Sequence, residues 1–174
     1  MSFLDLAKKR CSTRAFSQKQ IANDELGSIL EAARVAPTNG NIQNFKIYVV
    51  QEKVLLHEIY QHAQCYNAPT VLVVTYDTTQ KFTSSVNEND SGLIDTSVIL
   101  THMMLEATDL DVGSVWINYF KSEPIHKLLG LSKNKVVAHL LAIGYPSVPF
   151  SPSDRHKNQR KPIEELVSYI KESN

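Results

Sequence analysis

Arg10-Cys11-Ser12-Thr13-Arg14 sets two guanidinium forks and a hydroxyl at alternate positions. In an extended segment alternate side chains project to one side, so Arg10, Ser12 and Arg14 would converge on one ligand. A planar guanidinium can make paired bonds to phosphate oxygens, and the trio reads as an anion clamp. The same residues fit a second reading. With Lys8 and Lys9 they also make a basic helix end, where cations suit the dipole and charge runs commonly mean solvated surface. Spacing alone leaves both open.

Other reactive residues form weaker patterns. His57 and His62 flank Glu58 in a stretch resembling a zinc-protease motif, but they are five apart. On a helix that spacing puts them about 140° out of line, so no metal site is expected. His102 and Glu106 are four apart on an expected helix and could meet as a structural or acid–base pair. Cys11 and Cys65 read as small, half-buried hydrophobes rather than nucleophiles. There is no G-x-G-x-x-G, no P-loop and no G-x-S-x-G elbow.

The elements that must position these residues follow from periodicity and punctuation. Ser2 and Asp5 start a short helix that ends near Arg10. Asn23 is the expected N-cap of a second helix buried through Leu26, Ile29, Leu30 and Ala33 and stopped by Pro37. Thr38 to Asn41 is a loop. Phe45 to Val50 reads as a strand and Glu52 to His62 as a helix. Pro69 to Tyr76 is a near-continuous apolar strand expected to be covered on both faces. Asp77 to Ser91 is polar and irregular, the stretch expected to be most mobile. Leu93 to Leu110 is a long central helix, followed by Gly113 to Ile117. Ser122-Glu123-Pro124 opens another helix closed by Gly130, and Lys135 to Gly144 is a third strong strand. The tail is polar from Asp154 to Lys161 and amphipathic from Pro162 to Lys171. Interspersed strands and helices predict an α/β or α+β sheet packed by helices, with strand direction undetermined.

The chain has 174 residues, which fits one domain spanning 1–174. Its 18 basic and 18 acidic residues cancel, so nothing global draws it to nucleic acid or an anionic membrane. No apolar run approaches the roughly 20 residues needed to cross a bilayer. The opening residues lack a signal-peptide layout, and two distant cysteines make no disulfide framework. A cytoplasmic protein is expected.

Arg10 to Phe16, Leu30 to Thr38, Asn41-Ile42-Gln43 and Lys46 to Val50 resemble the opening of the nitroreductase family. The resemblance continues through the helix holding Asp95 and through Gly113-Ser114-Val115-Trp116-Ile117. Ile143-Gly144-Tyr145-Pro146 and Arg160-Lys161-Pro162-Ile163-Glu164-Glu165 complete it. Asn44-Phe45 stands where many members have Pro-Trp, and Cys11 where Arg or His is common.

This resemblance implies an α+β FMN-binding fold with a central, mostly antiparallel sheet packed by helices, in a homodimer with a C-terminal extension. It implies that Arg10, Ser12 and Arg14 hold the FMN phosphate and ribityl chain, joined by Arg160 and Lys161. Asn41 would bond the flavin, with Gln43 close by. Pro37, Thr38 and Asn39 would come from the partner subunit at the dimer interface. Backbone around Trp116, Ile117 and Asn118 would face the ring edge. No side chain is then needed as catalytic acid or base, because the flavin carries the chemistry at N5. NADH or NADPH would be a transient donor. A nitroaromatic, quinone or similar conjugated compound would be the small-molecule acceptor in a ping-pong reaction. Two alternatives stay open: an FMN-binding or redox-sensing protein with little turnover, and a specialised flavin-dependent dehydrogenase or dehalogenase.

Overall fold

Helices in this chain start where a carboxylate or hydroxyl can take up the free N–H groups of a first turn. In the computed structural model, which describes residues 1–80, 82 and 89–170, α1 (Phe3–Lys9) is closed by a reciprocal Ser2–Asp5 capping box. Helix α2 (Asn23–Val35) begins one residue earlier than its expected cap allows. Asn23 is its first helical residue, and Glu25 reaches back to accept the Ala22 N–H at 3.0 Å. Strand β1 (Phe45–Val50) and helix α3 (Lys53–Tyr60) follow, with Glu52 capping α3 through the Leu55 N–H. His62 lies beyond the end of α3, which removes the zinc-like pattern altogether.

Strand β2 (Thr70–Asp77) is buried along its whole length. Thr79, Asn134 and Lys135 all bond the Asp77 carboxylate at its end and hold it well below the usual carboxylate range. Of the polar stretch expected to be mobile, residues 81 and 83–88 lie outside the described residues. Helix α4 (Ser91–Asp109) starts ahead of the expected Leu93 because Asp90 accepts the Gly92 and Leu93 N–H groups. Strand β3 (Gly113–Ile117), helix α5 (Ser122–Leu128) and strand β4 (Lys135–Gly144) complete the core. The tail carries α6 (His156–Gln159) and α7 (Ile163–Leu166). The amphipathic stretch expected from Pro162 onward therefore forms only one short helix, and its remaining described residues are exposed.

The four strands run in the order β1-β2-β4-β3, and every neighbouring pair is antiparallel. The class is α+β. Continuous apolar strands often signal a parallel sheet; here they signal only that both faces are covered. Val71, Val73, Leu140 and Ala142 pack on one face against Leu56 and Ile59 of α3 and Ile125 of α5. Leu72, Val74, Leu141 and Ile143 pack on the other against Ile99, Leu100 and Met103 of α4 and Ile29 of α2. Each buried Val, Leu, Ile or Met among them contributes about 1.5–3 kcal/mol by leaving water. The sheet and α4 together make a rigid frame, and the candidate site is built along their margin. No described helix is long and apolar enough to cross a membrane.

Candidate functional site

The segment after α1 is extended and lies along the outer edge of β3. Ser12 bridges Ser114 in parallel, and the Thr13 N–H donates to the Ser114 carbonyl at 2.9 Å. Thr13 is buried while Ser12 and Arg14 stay exposed, the alternation an extended anion clamp requires. Thr13 fits because Gly113 has no side chain: a Cβ there would lie 2.7 Å from Thr13 Oγ1 and 2.8 Å from its Cγ2. Gly113→Ala is expected to push this segment off β3 and to destabilise the protein by about 1–3 kcal/mol, as overpacking does. Thermal unfolding checks this; an unchanged Tm would mean the contact relaxes freely.

The tail folds back onto the same segment. Arg155 donates through Nη2 to the Arg10 carbonyl at 2.5 Å, and through Nη1 to the Lys8 carbonyl at 3.1 Å and that of Pro152 at 2.8 Å. It thereby satisfies carbonyls at the end of α1, where a cation is favoured. The Arg10 guanidinium is held below its ordinary range first by burial, then by the positive charges of Arg155 and Arg160. Three arginines therefore share one region. Among the described residues no carboxylate makes an ion pair with Arg10, Arg14, Arg155 or Arg160. Lys9 is matched by Asp111 at 2.6 Å and Lys161 by Glu165 at 3.5 Å. Like charges gathered without a counter-charge favour an anionic ligand. Arg155 is the residue that sequence reasoning missed.

The loop after α2 is fixed from below. Asp95 of α4 is buried, and its Oδ1 accepts the Asn39 backbone N–H at 2.9 Å and the Asn39 Nδ2 at 2.6 Å. Thr38 Oγ1 accepts the Gln43 N–H at 3.1 Å, and Gln43 Nε2 donates to the Asn41 carbonyl at 3.2 Å. Gly40, Asn41 and Gln43 have φ of +59°, +54° and +54°. Gly and Asn accept the left-handed region readily, whereas Gln does so at some strain. Pro37, Asn41 and Gln43 remain exposed.

These two groups do not meet within one chain. The 19-residue α4 is about 28 Å long at 1.5 Å per residue. The loop holding Asn39 is tied to Asp95 near its N-terminal end, while Lys9 is tied to Asp111 just past its C-terminal end. Strand β3 runs back between them. Its Trp116 is 36% exposed and donates Nε1–H to His139 Nδ1 at 3.2 Å. Ile117 is buried in the sheet, so only its backbone can face a ligand; Asn118 is exposed. Strand β3 is the sheet's edge, and it leaves main-chain groups on its outer side beyond the Ser12 bridge.

Of the residues set aside on chemical grounds, Cys11 lies within the Arg10–Arg14 segment, while Cys65, His102 and Glu106 stay outside this arrangement. Cys65 is buried, which pushes its thiol up to about 12 and makes it a poor nucleophile. His102 Nδ1 bonds the Val98 carbonyl at 2.9 Å, and no hydrogen bond joins it to Glu106 among the described residues. Both line an open groove of about 910 Å³ between α1, α2 and α4, whose apolar walls include Phe3, Leu6, Val35 and Leu105. Phe3 is 72% exposed, and Ile163, Leu166, Tyr169 and Ile170 of the tail are likewise uncovered. These apolar side chains are left uncovered by the chain itself.

The nitroreductase family profile matches residues 7–66 and 60–145. A nitroreductase family protein of Clostridium difficile 630 superposes with a TM-score of 0.94 at 36% identity, over 98% of this chain and 99% of that one. A curated protein of Archaeoglobus fulgidus is 31% identical over 82% of this chain and 84% of its own length, and carries the provisional name NADH dehydrogenase/NAD(P)H nitroreductase. A nitroreductase of Bacteroides fragilis, solved with bound FMN, shares the fold at 22% identity with a TM-score of 0.76, covering 98% of this chain and 100% of that one.

Proposed function

Since this chain belongs to the nitroreductase family, we propose that it is an FMN-dependent NAD(P)H oxidoreductase whose two sites are each shared between the chains of a homodimer. The observation that carries this reading is the cluster of Arg10, Arg155 and Arg160 beside Ser12 and Arg14, gathered with no carboxylate partner among the described residues. That donor set suits a phosphate monoester, which takes paired charge-assisted bonds. Arg10, Ser12, Arg14 and Arg160 would hold the FMN phosphate and the adjoining chain. Arg155 buttresses Arg10 from its carbonyl side, and Lys161, already matched by Glu165, contributes less. The outer main chain of Trp116, Ile117 and Asn118 would border the ring, where a fixed N–H can stabilise developing charge.

The homodimer reading rests on α4. Two copies packed about a two-fold axis would set the N-terminal end of one α4 near the C-terminal end of the other. The loop of Pro37, Thr38, Asn39, Asn41 and Gln43 from one chain would then close over the arginines of its partner. The apolar groove and the uncovered tail supply the surface for that contact.

Bound FMN would supply two-electron redox chemistry, taking hydride from NADH or NADPH and delivering it to a nitroaromatic, quinone or similar conjugated acceptor in alternate half-reactions. The protein's part is to fix the phosphate, border the ring and leave one face open to each substrate in turn. Anaerobic initial rates of NADH and NADPH consumption, measured against a nitroaromatic and a quinone, test the reading. Parallel double-reciprocal lines are expected. FMN binding without measurable turnover on either acceptor would favour a flavin-binding sensor instead.

A further inference from the structure

His139 is 2% exposed on β4, in the middle of an apolar strand. A buried imidazole needs partners on both ring nitrogens, and here the direction of every bond is fixed by the ends of the chain. The Trp116 indole N–H can only donate, so His139 Nδ1 accepts it, at 3.2 Å. Ser97 Oγ gives its own hydrogen to the Leu93 carbonyl, at 2.8 Å. It therefore accepts from His139 Nε2–H, at 3.1 Å. The relay runs from Trp116 through His139 and Ser97 to the backbone of α4, and it holds the imidazole neutral with its proton on Nε2. The two rings meet nearly at right angles, 82°, with centroids 4.9 Å apart. With its N–H edge turned inward, the exposed part of the Trp116 indole is its apolar remainder.

We propose that His139, seated on Ser97, is the positioning residue that locks the Trp116 indole in place, and that this indole forms the wall against which the conjugated acceptor stacks. The second half of this inference rests on the flavin reading above; the first half does not. An aromatic face in a fixed rotamer gives a planar acceptor area at no ordering cost on binding. A freely rotating indole would have to be ordered each time.

Protonated His139 has two N–H donors and cannot accept from Trp116, so the relay opens on the acid side. Burial lowers the imidazole below its ordinary 6.5, opposed by the Leu93 backbone, and no charged group contributes. Titratable groups on the elements around it are engaged elsewhere. Asp90 takes the Tyr76 hydroxyl, Asp95 holds Asn39, and His102 bonds Val98. On β4 itself Lys135 pairs with Asp77.

Trp116 is the protein's one tryptophan, so its fluorescence reports the relay without any flavin. In FMN-free protein the emission should titrate with a midpoint below 6.5 as the imidazolium quenches the indole, and His139→Leu should abolish that titration. With FMN bound, His139→Leu should raise the acceptor KM about tenfold, with a smaller fall in kcat, as expected for lost substrate binding. His139→Gln, which can still accept from Trp116 and donate to Ser97, should restore most of it. Trp116→Phe provides a variant outside the core and should raise the acceptor KM similarly. Wild-type emission flat from pH 8 down to the onset of acid unfolding would overturn the positioning role. An acceptor KM unmoved in both His139→Leu and Trp116→Phe would overturn the stacking role. Failure of the protein to take up FMN would be read separately, by absorbance, and would remove the stacking role while the emission titration still decides the relay.

Discussion

Arg10→Ala is expected to weaken FMN binding roughly ten- to a hundredfold while leaving the fold intact. The magnitude follows from the bond type: a hydrogen bond to a charged group contributes about 1.5–3 kcal/mol, and each 1.4 kcal/mol is tenfold in affinity. Arg10 is the most sensitive position because its guanidinium is partly buried beside Arg155 and Arg160. Removing it takes away the charge least screened by water. Arg160→Ala should act in the same direction, more weakly, since Arg160 is exposed. Arg10→Lys keeps the charge but loses the planar fork, and should recover only part of the affinity. Lys161→Ala should change little, because Lys161 is already engaged with Glu165. Titrating FMN-free protein with FMN at fixed ionic strength measures all four. Equal affinities for wild type, Arg10→Ala and Arg160→Ala would remove the phosphate assignment.

Leu105→Glu should have the second large effect, and through a different route. Leu105 is half-buried and opens onto the groove between α1, α2 and α4, so a single chain can point a carboxylate there into water. In a two-fold dimer packed along α4 the same carboxylate would be buried against the partner's surface with no cation to pair it. Burying an unpaired charge costs several kcal/mol, enough to split the dimer at ordinary concentrations. Each chain would then lose the partner loop from Pro37 to Gln43, and FMN affinity should fall even though no arginine has changed. Light scattering together with flavin absorbance on the same sample reads both consequences. A variant that stays dimeric, or a monomer that keeps full FMN affinity, contradicts the shared site.

The parts of the fold that came through in the sequence are those decided locally or by burial. Leu72, Leu140 and Ile143 sit in runs too apolar to be anything but covered strands, and Ile29 and Ala33 fall on one face of α2. Boundaries shifted where a side chain did something composition does not reveal, as when Glu25 reached back to Ala22 or Asp90 capped α4 early. The residue pattern alone left strand direction open, because covered antiparallel strands look like parallel ones. The family resemblance implied a mostly antiparallel sheet, and the sheet is antiparallel.

The candidate site was legible only in pieces. Arg10, Ser12 and Arg14 alternate in sequence and do run extended along β3. Arg155 looked like one more charge in a polar tail, because its partners are main-chain carbonyls about as far away as the chain allows. His139 carried no reading of its own within the strand expected from Lys135 to Gly144, and only the folded sheet brings it to Trp116. That Asn41 and Arg10 lie at opposite ends of α4 is a tertiary fact with no local signature, and the proposed dimer is built on it.

The most direct test is FMN stoichiometry in the purified protein, read from its absorbance spectrum after stripping and reconstitution, with molar mass measured on the same peak. The expected result is a yellow dimer holding one flavin per chain, bleached anaerobically by NADH or NADPH. A colourless protein that takes up no FMN on reconstitution would contradict it.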